Sequence, residues 1–437
     1  MLPPLSNRLI AHVDMNSYFA SVEQQANPHL RGRPLGVCAY LHRHGCVIAA
    51  SIEAKRMGMK VGMTMEDALA VCPSAVFVQN DPPKYRAVTS RVFSILHKLT
   101  DRVEYYSIDE AFLDLTGWYR DAAEAAWSLT RARRRMSVEV GEWLRCSIGI
   151  APTKFLAKTA SDMEKPNGLV IIDYENLDLV LSRLELDGVC GIGPRIKRRL
   201  ERLGIKSLLD IKRYPVGNLM RAFGKSGLYL WCKMHGMEFE SVAASECAAP
   251  PKTIGHSYCV PDHVNRDGNV FSVFIKLVER ASRRLRKYGL LAKTVSVSVG
   301  FRFDTRSFEH GAYDFKHLDE PAADSFTFTD TACNILRELW QPPQRVNFLA
   351  VTLSDFSVPT GQMNFFVGAQ HAVSLSGQNP DRRCLASSAA DLVRDRYGDE
   401  AIMFGSMLGV EIHAPDRIGF RKTGELELHC GYHSENS

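Results

Sequence analysis

The apolar pattern at the start of the chain changes from that of a strand to that of a helix around one acidic residue. Residues 9–13 form an apolar run that is typical of a buried strand. From Ser17 the apolar side chains recur at helical spacing, as at Tyr18 and Val22. Asp14 stands between the two patterns, so we predict a strand, an acidic strand end and a helix.

A second acidic position interrupts the apolar stretch 105–115. Two faces alternate at period two: Tyr106, Ile108, Glu110 and Phe112 on one, Ser107, Asp109, Ala111 and Leu113 on the other. The pattern predicts a strand or hairpin that carries adjacent carboxylates. Because burial of an unpaired carboxylate is costly, Asp109 and Glu110 should reach water, a cation or a basic partner. For such a pair alone, a solvated turn between two strands is the alternative.

The order of elements around these positions predicts a ferredoxin-like unit. Strand patterns occur at 9–13, 33–40, 46–51, 105–115, 146–151 and 169–172, and helical patterns at 53–57, 65–71, 85–99, 122–143 and 153–163. The order strand, helix, strand, strand, helix, strand is that of the ferredoxin-like fold. It would place Asp14 beside the strand of Asp109 and Glu110, where the three carboxylates could hold two Mg²⁺ ions.

A helical region follows from Leu177 to about Ala244. The turn Gly191-Ile192-Gly193-Pro194 precedes a basic helix that includes Arg195 and Lys197. Two glycines allow a tight turn whose backbone N–H groups can hold a DNA phosphate without reading sequence. The alternative is a plain turn between two helices.

The last part of the chain reads as a separate mixed block. After a Pro/Ala-rich linker near 245–252, we predict a basic helix at 270–288, strands at 295–303, 324–327 and 347–353, and helices at 329–339 and 384–397. The final forty residues are polar and tail-like. The segment 42–46, with two His and one Cys, could suggest a metal site, but the absence of further clustered ligands favours a polar hairpin turn.

Bulk composition narrows the class of protein. The chain has 437 residues, 24% charged and 45% hydrophobic, which suits two to four globular domains. Its apolar runs are too short for a membrane span and its start lacks a signal-peptide pattern, so we expect a cytoplasmic protein. Eleven cysteines without a Cys-x-x-Cys pair favour reduced thiols. The net charge of +5 permits a nucleic-acid partner but is weak evidence for one.

Several motifs in order resemble those of the Y family of translesion DNA polymerases, both its polymerase IV and its polymerase V branches. They are Val-Asp-Met-Asn-Ser-Tyr-Phe-Ala-Ser-Val-Glu from Val13, Glu-Ala-Lys-Arg-Met-Gly from Glu53, Tyr-Ser-Ile-Asp-Glu-Ala from Tyr106, Ser-Ile-Gly-Ile-Ala-Pro-Thr-Lys from Ser147, Ser-Asp-Met-Glu-Lys-Pro-Asn-Gly from Ser161, and Gly-Ile-Gly-Pro-Arg from Gly191. Each motif alone is weak, but six in the right order are a strong signal; the resemblance runs from about residue 9 to 370 and, more weakly, through Asp391 to Gly405.

The resemblance implies an α+β multidomain, right-hand architecture. It comprises a ferredoxin-like palm (1–17 and 84–172), fingers (18–83), a helical thumb with a helix-hairpin-helix (173–244), a linker (245–255), an α/β little finger (256–370) and a C-terminal extension (371–437).

The same resemblance implies roles for individual residues. Asp14, Asp109 and Glu110 would bind two Mg²⁺ ions, with the Met15 carbonyl as a further ligand. Phe19 would be the steric gate against a ribose 2′-OH, and the nucleotide pocket would also include Lys55, Tyr85 and Lys165. The thumb turn would bind DNA through Gly191, Gly193, Arg195 and Lys197. A sliding-clamp peptide would include Gln362, Met363, Phe365 and Phe366, although an ordinary strand or loop end suits that segment equally well.

One departure from the family pattern concerns the fingers. Many relatives carry Tyr and Arg where this chain has Ile52 and Lys55. Ile52 lacks a donor, and Lys55 offers a point charge instead of a bidentate fork. We therefore expect nucleotide binding weaker by about 1–2 kcal/mol, the scale of one charge-assisted hydrogen bond.

The function implied by the resemblance is template-directed addition of dNTPs to a primer 3′-OH with low fidelity. It would serve damage tolerance and repair, as a mutator of the SOS response. The expected partners are primer-template DNA, dNTPs and a sliding clamp, and no association with a membrane is expected. The chain would act as a monomer, and the resemblance does not decide whether accessory subunits bind it. A catalytically inactive DNA-binding relative would lack the three carboxylates, and a nucleotidyl cyclase would not need the helix-hairpin-helix or the basic C-terminal block.

Overall fold

The structure, a computed structural model, describes residues 7–43, 45–243, 251–301, 311–358, 380–410 and 413–414. These residues divide into two compact units, the first ending by residue 243 and the second beginning at residue 251. In the described residues no helix combines the length and the apolar character that crossing a membrane requires.

Unit one contains two sheets and a helical region. Its strands are β1 (Ile10–Met15), β2 (Leu35–Cys38), β3 (Val47–Ala50), β4 (Val76–Gln79), β5 (Val103–Tyr105), β6 (Glu110–Asp114), β7 (Cys146–Ala151) and β8 (Leu169–Ile171). Its helices are α1 (Tyr18–Ala26), α2 (Ile52–Arg56), α3 (Met65–Val71), α4 (Pro82–Leu96), α5 (Ala122–Glu139), α6 (Lys154–Met163), α7 (Leu177–Arg183), α8 (Pro194–Arg202), α9 (Leu208–Arg213), α10 (Val216–Phe223) and α11 (Lys225–Met234).

The larger sheet of unit one has the strand order β5-β6-β1-β7-β8. Strand β1 lies in the centre and is antiparallel to both β6 and β7, while β8 is parallel to β7. Ala11 and Val13 pack into one core with Val92 and Leu129 of helices α4 and α5. Ile10 belongs to the core on the other side, with Phe155 and other residues of α6 and the helical region. This arrangement confirms the ferredoxin-like prediction.

The element boundaries near the acidic positions differ slightly from those predicted. Strand β1 continues to Met15, so Asp14 lies within the strand and not at its end. Residues 106–109 form a turn, and the strand resumes only at Glu110. The pattern of two alternating faces therefore holds from Glu110 onward but not in the turn, where the backbone is not extended.

A small sheet of order β3-β2-β4 forms a second layer of unit one. Strands β2 and β3 pair antiparallel, so segment 42–46 lies in the turn between them, as predicted; His44 is outside the described residues. Strand β4 was not predicted from the sequence. It is short and pairs parallel with β2, a contact that only the tertiary fold supplies.

Unit two contains a four-stranded sheet of order β11-β10-β12-β9 with helices packed against it. The strands are β9 (Thr253–Cys259), β10 (Leu291–Phe301), β11 (Gly311–Ala322) and β12 (Val346–Ser357). The helices are α12 (Asp262–Arg266), α13 (Val270–Lys287), α14 (Ser325–Leu339) and α15 (Pro380–Tyr397).

The predicted strand at 324–327 is wrong, because these residues begin helix α14. The side chain of Asp324 accepts a hydrogen bond from the backbone N–H of Thr327 at 2.8 Å, which caps the helix. Alternating Phe and Thr suggested a strand, but the cap and the packing of Phe328 and Ile335 into the buried interior favour the helix. The helix at 384–397 is confirmed and begins earlier, at Pro380.

Candidate active site

Strands β1 and β6 bring two of the predicted carboxylates together. Asp14 lies directly opposite Glu110 in the antiparallel register. Because Ala11, Val13 and Met15 occupy the core on one face of β1, the alternate positions must face the other side. The pattern of apolar residues in β1 thus fixes the side to which Asp14 points.

The two carboxylates form a close group with a histidine. Ligand atoms of His12, Asp14 and Glu110 all lie within 4.8 Å of one another. Among the residues that the structure describes, these are the three His, Cys, Asp or Glu side chains that come close enough to share a metal ion. Asp14 is only 8% exposed. Carboxylate oxygens are the ligands that Mg²⁺ prefers, so the donor set is suited to a divalent cation.

Asp109 lies next to this group, on the turn before β6, but is not a member of it. The hydroxyl of Ser107 contacts the Asp109 carboxylate and lies 3.3 Å from Oε1 of Glu110. The backbone N–H of Met15 donates to the carbonyl of Asp109 at 2.9 Å. The turn is therefore tied to β1 at the residue that follows Asp14.

Two lysines neutralise the carboxylates. Lys158 of helix α6 forms an ion pair with Glu110. Nζ of Lys165 lies 2.9 Å from Oδ2 of Asp14 and 2.7 Å from Oδ1 of Asp162. These ammonium groups occupy positions beside the carboxylates that a metal cation would also favour.

The local environment shifts the pKa values of the three acids in different directions. Burial raises the pKa of Asp14, and the charge of Lys165 opposes that effect. Burial likewise raises the pKa of Asp109. For Glu110, burial is outweighed by the contacts with His12 and Lys158, which lower its pKa to about 2. Glu110 is thus the most firmly ionised of the three.

His12 is the site residue that the sequence analysis missed. It is fully buried; its Nδ1 lies 2.7 Å from Oγ of Ser161, and its Nε2 lies 3.2 Å from Oε2 of Glu110. Burial lowers the pKa of His12, so the imidazole is neutral. The sequence does contain a signal for His12: it is a polar residue inside an apolar strand, two positions before Asp14. Residues two positions apart in a strand point to the same face of the sheet.

Phe19 and Tyr85 form a stacked aromatic pair. Their ring centroids lie 4.4 Å apart and their planes differ by 16°. Phe19 is half-buried, whereas Tyr85 is fully buried and donates its hydroxyl to Oε1 of Glu23 at 2.8 Å. Of the two rings, Phe19 is therefore the one that solvent or a bound molecule can reach.

Lys55 lies near the same group, on the short helix α2. Partial desolvation and the charge of Lys165 lower the pKa of Lys55, while Asp14 and Asp109 raise it. The Lys55 side chain is exposed, and Ile52 begins the helix after the cap Ser51. The structure therefore brings Lys55 and Lys165 close to the acidic group.

The Gly191–Pro194 turn leads into helix α8. Gly191 has φ of +99°, a left-handed conformation that favours glycine, and Gly193 caps the helix. A Cβ at either glycine would meet no atom within 4 Å, so the outer side of the turn is open. Arg195 is exposed, but Nζ of Lys197 lies 2.7 Å from Oδ1 of Asp187.

The predicted clamp peptide with Gln362, Met363, Phe365 and Phe366 lies outside the described residues. The basic end of helix α13 is described, and its arginines contact protein groups. Arg286 forms a bidentate pair with Asp391 at 2.6 and 2.9 Å, and Arg283 pairs with Asp395 at 2.6 Å.

Known proteins share this arrangement of sequence and fold. Residues 13–162 match the model of the impB/mucB/samB family, and residues 251–365 match that of its C-terminal domain. The chain is 31% identical over 396 residues to a DNA polymerase IV of Pelotomaculum thermopropionicum, which covers 89% of this chain and 93% of that protein. It is 32% identical over 395 residues to the Moorella thermoacetica protein of the same name, with the same coverage.

A third relative and a solved structure agree. DNA polymerase IV of Staphylococcus aureus strain JH9 is 31% identical over 359 residues, 82% of this chain and 98% of that protein. A solved Y-family DNA polymerase chimera of Dbh and Dpo4 has a TM-score of 0.68 and 27% identity, and the match covers 80% of this chain and 99% of the chimera. The chain therefore belongs to the impB/mucB/samB family, that is, to the Y family of DNA polymerases.

Proposed function

We propose that the protein is a template-directed DNA polymerase of the translesion type, which adds dNTPs to a primer 3′-OH. Beyond family membership, the observation that supports this is the close approach of Asp14 and Glu110 on the adjacent strands β1 and β6. Asp109 lies on the turn between β5 and β6. The reaction is an in-line displacement: the 3′-oxygen bonds to the α-phosphorus, and the bond to the leaving pyrophosphate breaks.

Asp14, Asp109 and Glu110, with the Met15 carbonyl, would hold two Mg²⁺ ions. When bound, such ions stabilise the negative charge on the attacking and leaving oxygens. Glu110 is kept ionised by Lys158 and His12, so it is ready to bind a cation without first losing a proton. The ion pair of Asp14 with Lys165 supports this assignment, because it places a positive charge beside the Asp14 carboxylate.

The nucleotide would lie between the acidic group and the fingers. Lys165 and Lys55 would place positive charge against the triphosphate, which stabilises the charge that develops on it. Phe19, supported by Tyr85, would exclude a ribose 2′-OH by contact. The modest side chains Ala49 and Ile52 suit a roomy pocket and hence low fidelity on damaged templates.

The DNA duplex would be held without sequence readout. The open turn with Gly191 and Gly193 offers backbone N–H groups to a phosphate, and Arg195 adds charge. The palm, fingers, thumb, linker, little finger and C-terminal extension would have the boundaries given above, and the sliding-clamp peptide would bind the clamp. The protein would act as a monomer in the cytoplasm, as a mutator of the SOS response.

Extension of a primed template by the purified chain, with Mg²⁺ and dNTPs, tests the function. We expect short, distributive products on undamaged and abasic templates. Asp109→Ala should abolish extension and leave DNA binding nearly intact, whereas Asp101→Ala, a change at an exposed loop residue, should leave both intact. Binding without extension by the unaltered chain would contradict a stand-alone polymerase and favour a required subunit or an inactive relative.

A further inference from the structure

The steric-gate candidate Phe19 is supported by a hydrogen-bonded assembly that extends behind it. Its ring stacks on Tyr85, which is 0% exposed. The backbone carbonyl of Tyr85 accepts a hydrogen bond from the Tyr18 hydroxyl at 2.8 Å, and its own hydroxyl donates to Glu23. Tyr85 is thus held by contacts at its ring face, at its backbone carbonyl and at its hydroxyl.

Glu23 lies one helical turn after Phe19 on α1, so the two side chains share one face of that helix. The Glu23 carboxylate is buried, and Nζ of Lys84 lies 2.9 Å from Oε2 and 3.1 Å from Oε1. A buried carboxylate needs such partners to remain ionised. Glu23 therefore joins helix α1 to the first turn of α4 through Lys84 and Tyr85.

We propose that Glu23 is a positioning residue that determines how strongly the protein discriminates deoxyribonucleotides from ribonucleotides, acting through Tyr85 on Phe19. This inference rests on the proposed polymerase function and on the gate role of Phe19. It assigns a part in sugar selection to a buried side chain that contacts Phe19 only through Tyr85.

The physical reason is the stiffness that a steric wall requires. A wall excludes a hydroxyl group only if it cannot move aside, and shifts on the order of 1 Å change rates by large factors. On the side of its stacked face, Phe19 can move aside only if Tyr85 moves. The hydroxyl of Tyr85 donates to a carboxylate that Lys84 also binds, so the ring resists tilting, because hydrogen bonds assisted by charge are the strong ones.

The alternative is that Glu23 only joins two helices and contributes to stability. A purely structural role would lower the activity toward both sugars in parallel. A positioning role changes the ratio of kcat/KM for a dNTP to that for the matching rNTP, so this ratio is the informative readout.

The experiment measures that ratio on one primed template for the unaltered chain and for Glu23→Ala, Glu23→Gln and Tyr85→Phe. We expect Glu23→Ala to lower the ratio by about tenfold, which corresponds to about 1.4 kcal/mol. Glu23→Gln keeps an oxygen that can accept the Tyr85 hydroxyl, and it should stay closer to the unaltered ratio. Tyr85→Phe should lower the ratio, and adding Glu23→Ala to it should change the ratio little.

Two controls separate the outcomes. Phe93→Leu removes another buried aromatic of α4, stacked on Tyr105 at 4.6 Å, and should leave the ratio unchanged. Phe19→Ala removes the gate side chain itself and should give the largest loss in the ratio of kcat/KM for a dNTP to that for the matching rNTP. If the unaltered chain does not extend with dNTPs, the proposed function fails. If it extends and Phe19→Ala relaxes the ratio, but Glu23→Ala and Tyr85→Phe do not, or Phe93→Leu does so equally, the inference about Glu23 is overturned.

Discussion

Two regions of this protein hold many paired charges, and they use them differently. At the acidic group of unit one, Lys165 pairs with Asp14, and the Lys165 side chain is still 37% exposed. In unit two, Arg394 pairs with Glu279 between helices α15 and α13, and both side chains are less than a tenth exposed. The first kind of pair can exchange partners with a ligand from solvent, whereas the second is enclosed by protein.

The comparison shows that a basic residue in the sequence is not always available to bind DNA, because an acidic residue of the protein can already pair with it. The arginines near the end of helix α13 make the helix predicted at 270–288 a basic one. Arg283 and Arg286 are bound to acidic residues of α15 and the segment that follows it. This part of helix α13 therefore anchors the C-terminal helix of unit two.

The largest effect that would sharpen this contrast is expected at Asp14. Asp14→Asn removes one negative charge with little change in size, so metal binding should weaken and primer extension should fall by a factor on the order of 10³ or more. Added Mg²⁺ should raise the melting temperature of the unaltered protein but not of the variant, because ligand binding stabilises the folded state. Asp162→Asn, which changes the other carboxylate bound to Lys165, is the matched control; equal loss in both variants would contradict the special role of Asp14.

The enclosed pair in unit two should respond in stability and not in activity. Arg394→Met leaves Glu279 as a buried charge with fewer partners, which should lower the free energy of unfolding of the full chain by about 3–5 kcal/mol. Denaturant unfolding measures it. Lys316→Met breaks the exposed pair with Glu338 and should cost about 0–1 kcal/mol. Similar losses in both variants would show that burial does not distinguish the two kinds of pair.

A smaller effect is expected when Lys158 is replaced. Since Lys158 lowers the pKa of Glu110, Lys158→Met should raise that pKa, so Glu110 takes up a proton at higher pH than in the unaltered protein. A ¹³C NMR titration of the Glu110 carboxyl in metal-free protein measures the shift, and primer extension should fall by about tenfold. Lys154→Met removes the partner of Glu104 from the same helix and should leave the Glu110 titration unchanged.

The smallest expected effect is a gain. Combining Ile52→Tyr with Lys55→Arg adds a hydroxyl and a bidentate fork beside the triphosphate position, which should strengthen nucleotide binding by about 1–2 kcal/mol. The dissociation constant for a dNTP in the ternary complex measures it. Lys60→Arg, the same change in a nearby exposed turn, should have no effect. An unchanged constant in the double variant would remove the explanation offered for these two positions.

The sequence predicted the central sheet and the acidic pair because both depend on strong local patterns. The apolar patterns marked the two strands, and the ferredoxin-like order of elements placed Asp14 beside the strand of Glu110. Strand β11 was missed because none of its side chains is buried to mark a core face: its residues are exposed or half-buried, and the aromatic residues Tyr313 and Phe315 are among the exposed ones.

The supporting residues of the site could not be predicted, because their roles arise from contacts between distant segments. Nothing in the sequence joins His12 to Ser161, or Glu23 to Tyr85, since each pair meets only when separate elements pack. Lys158 was visible as a basic residue on a helix, but its ion pair with Glu110 depends on the position of α6 against the sheet.

The register of β1 against β6 has a consequence for changes in chain length. Because side chains alternate between the two faces of a sheet, the insertion or deletion of one residue in either strand would turn its carboxylate toward the opposite side. The cores on both faces of the sheet would then receive polar groups. Residues can be gained or lost in the surface turns of this protein, but these two strands must keep their length in any descendant or engineered variant that retains the acidic pair.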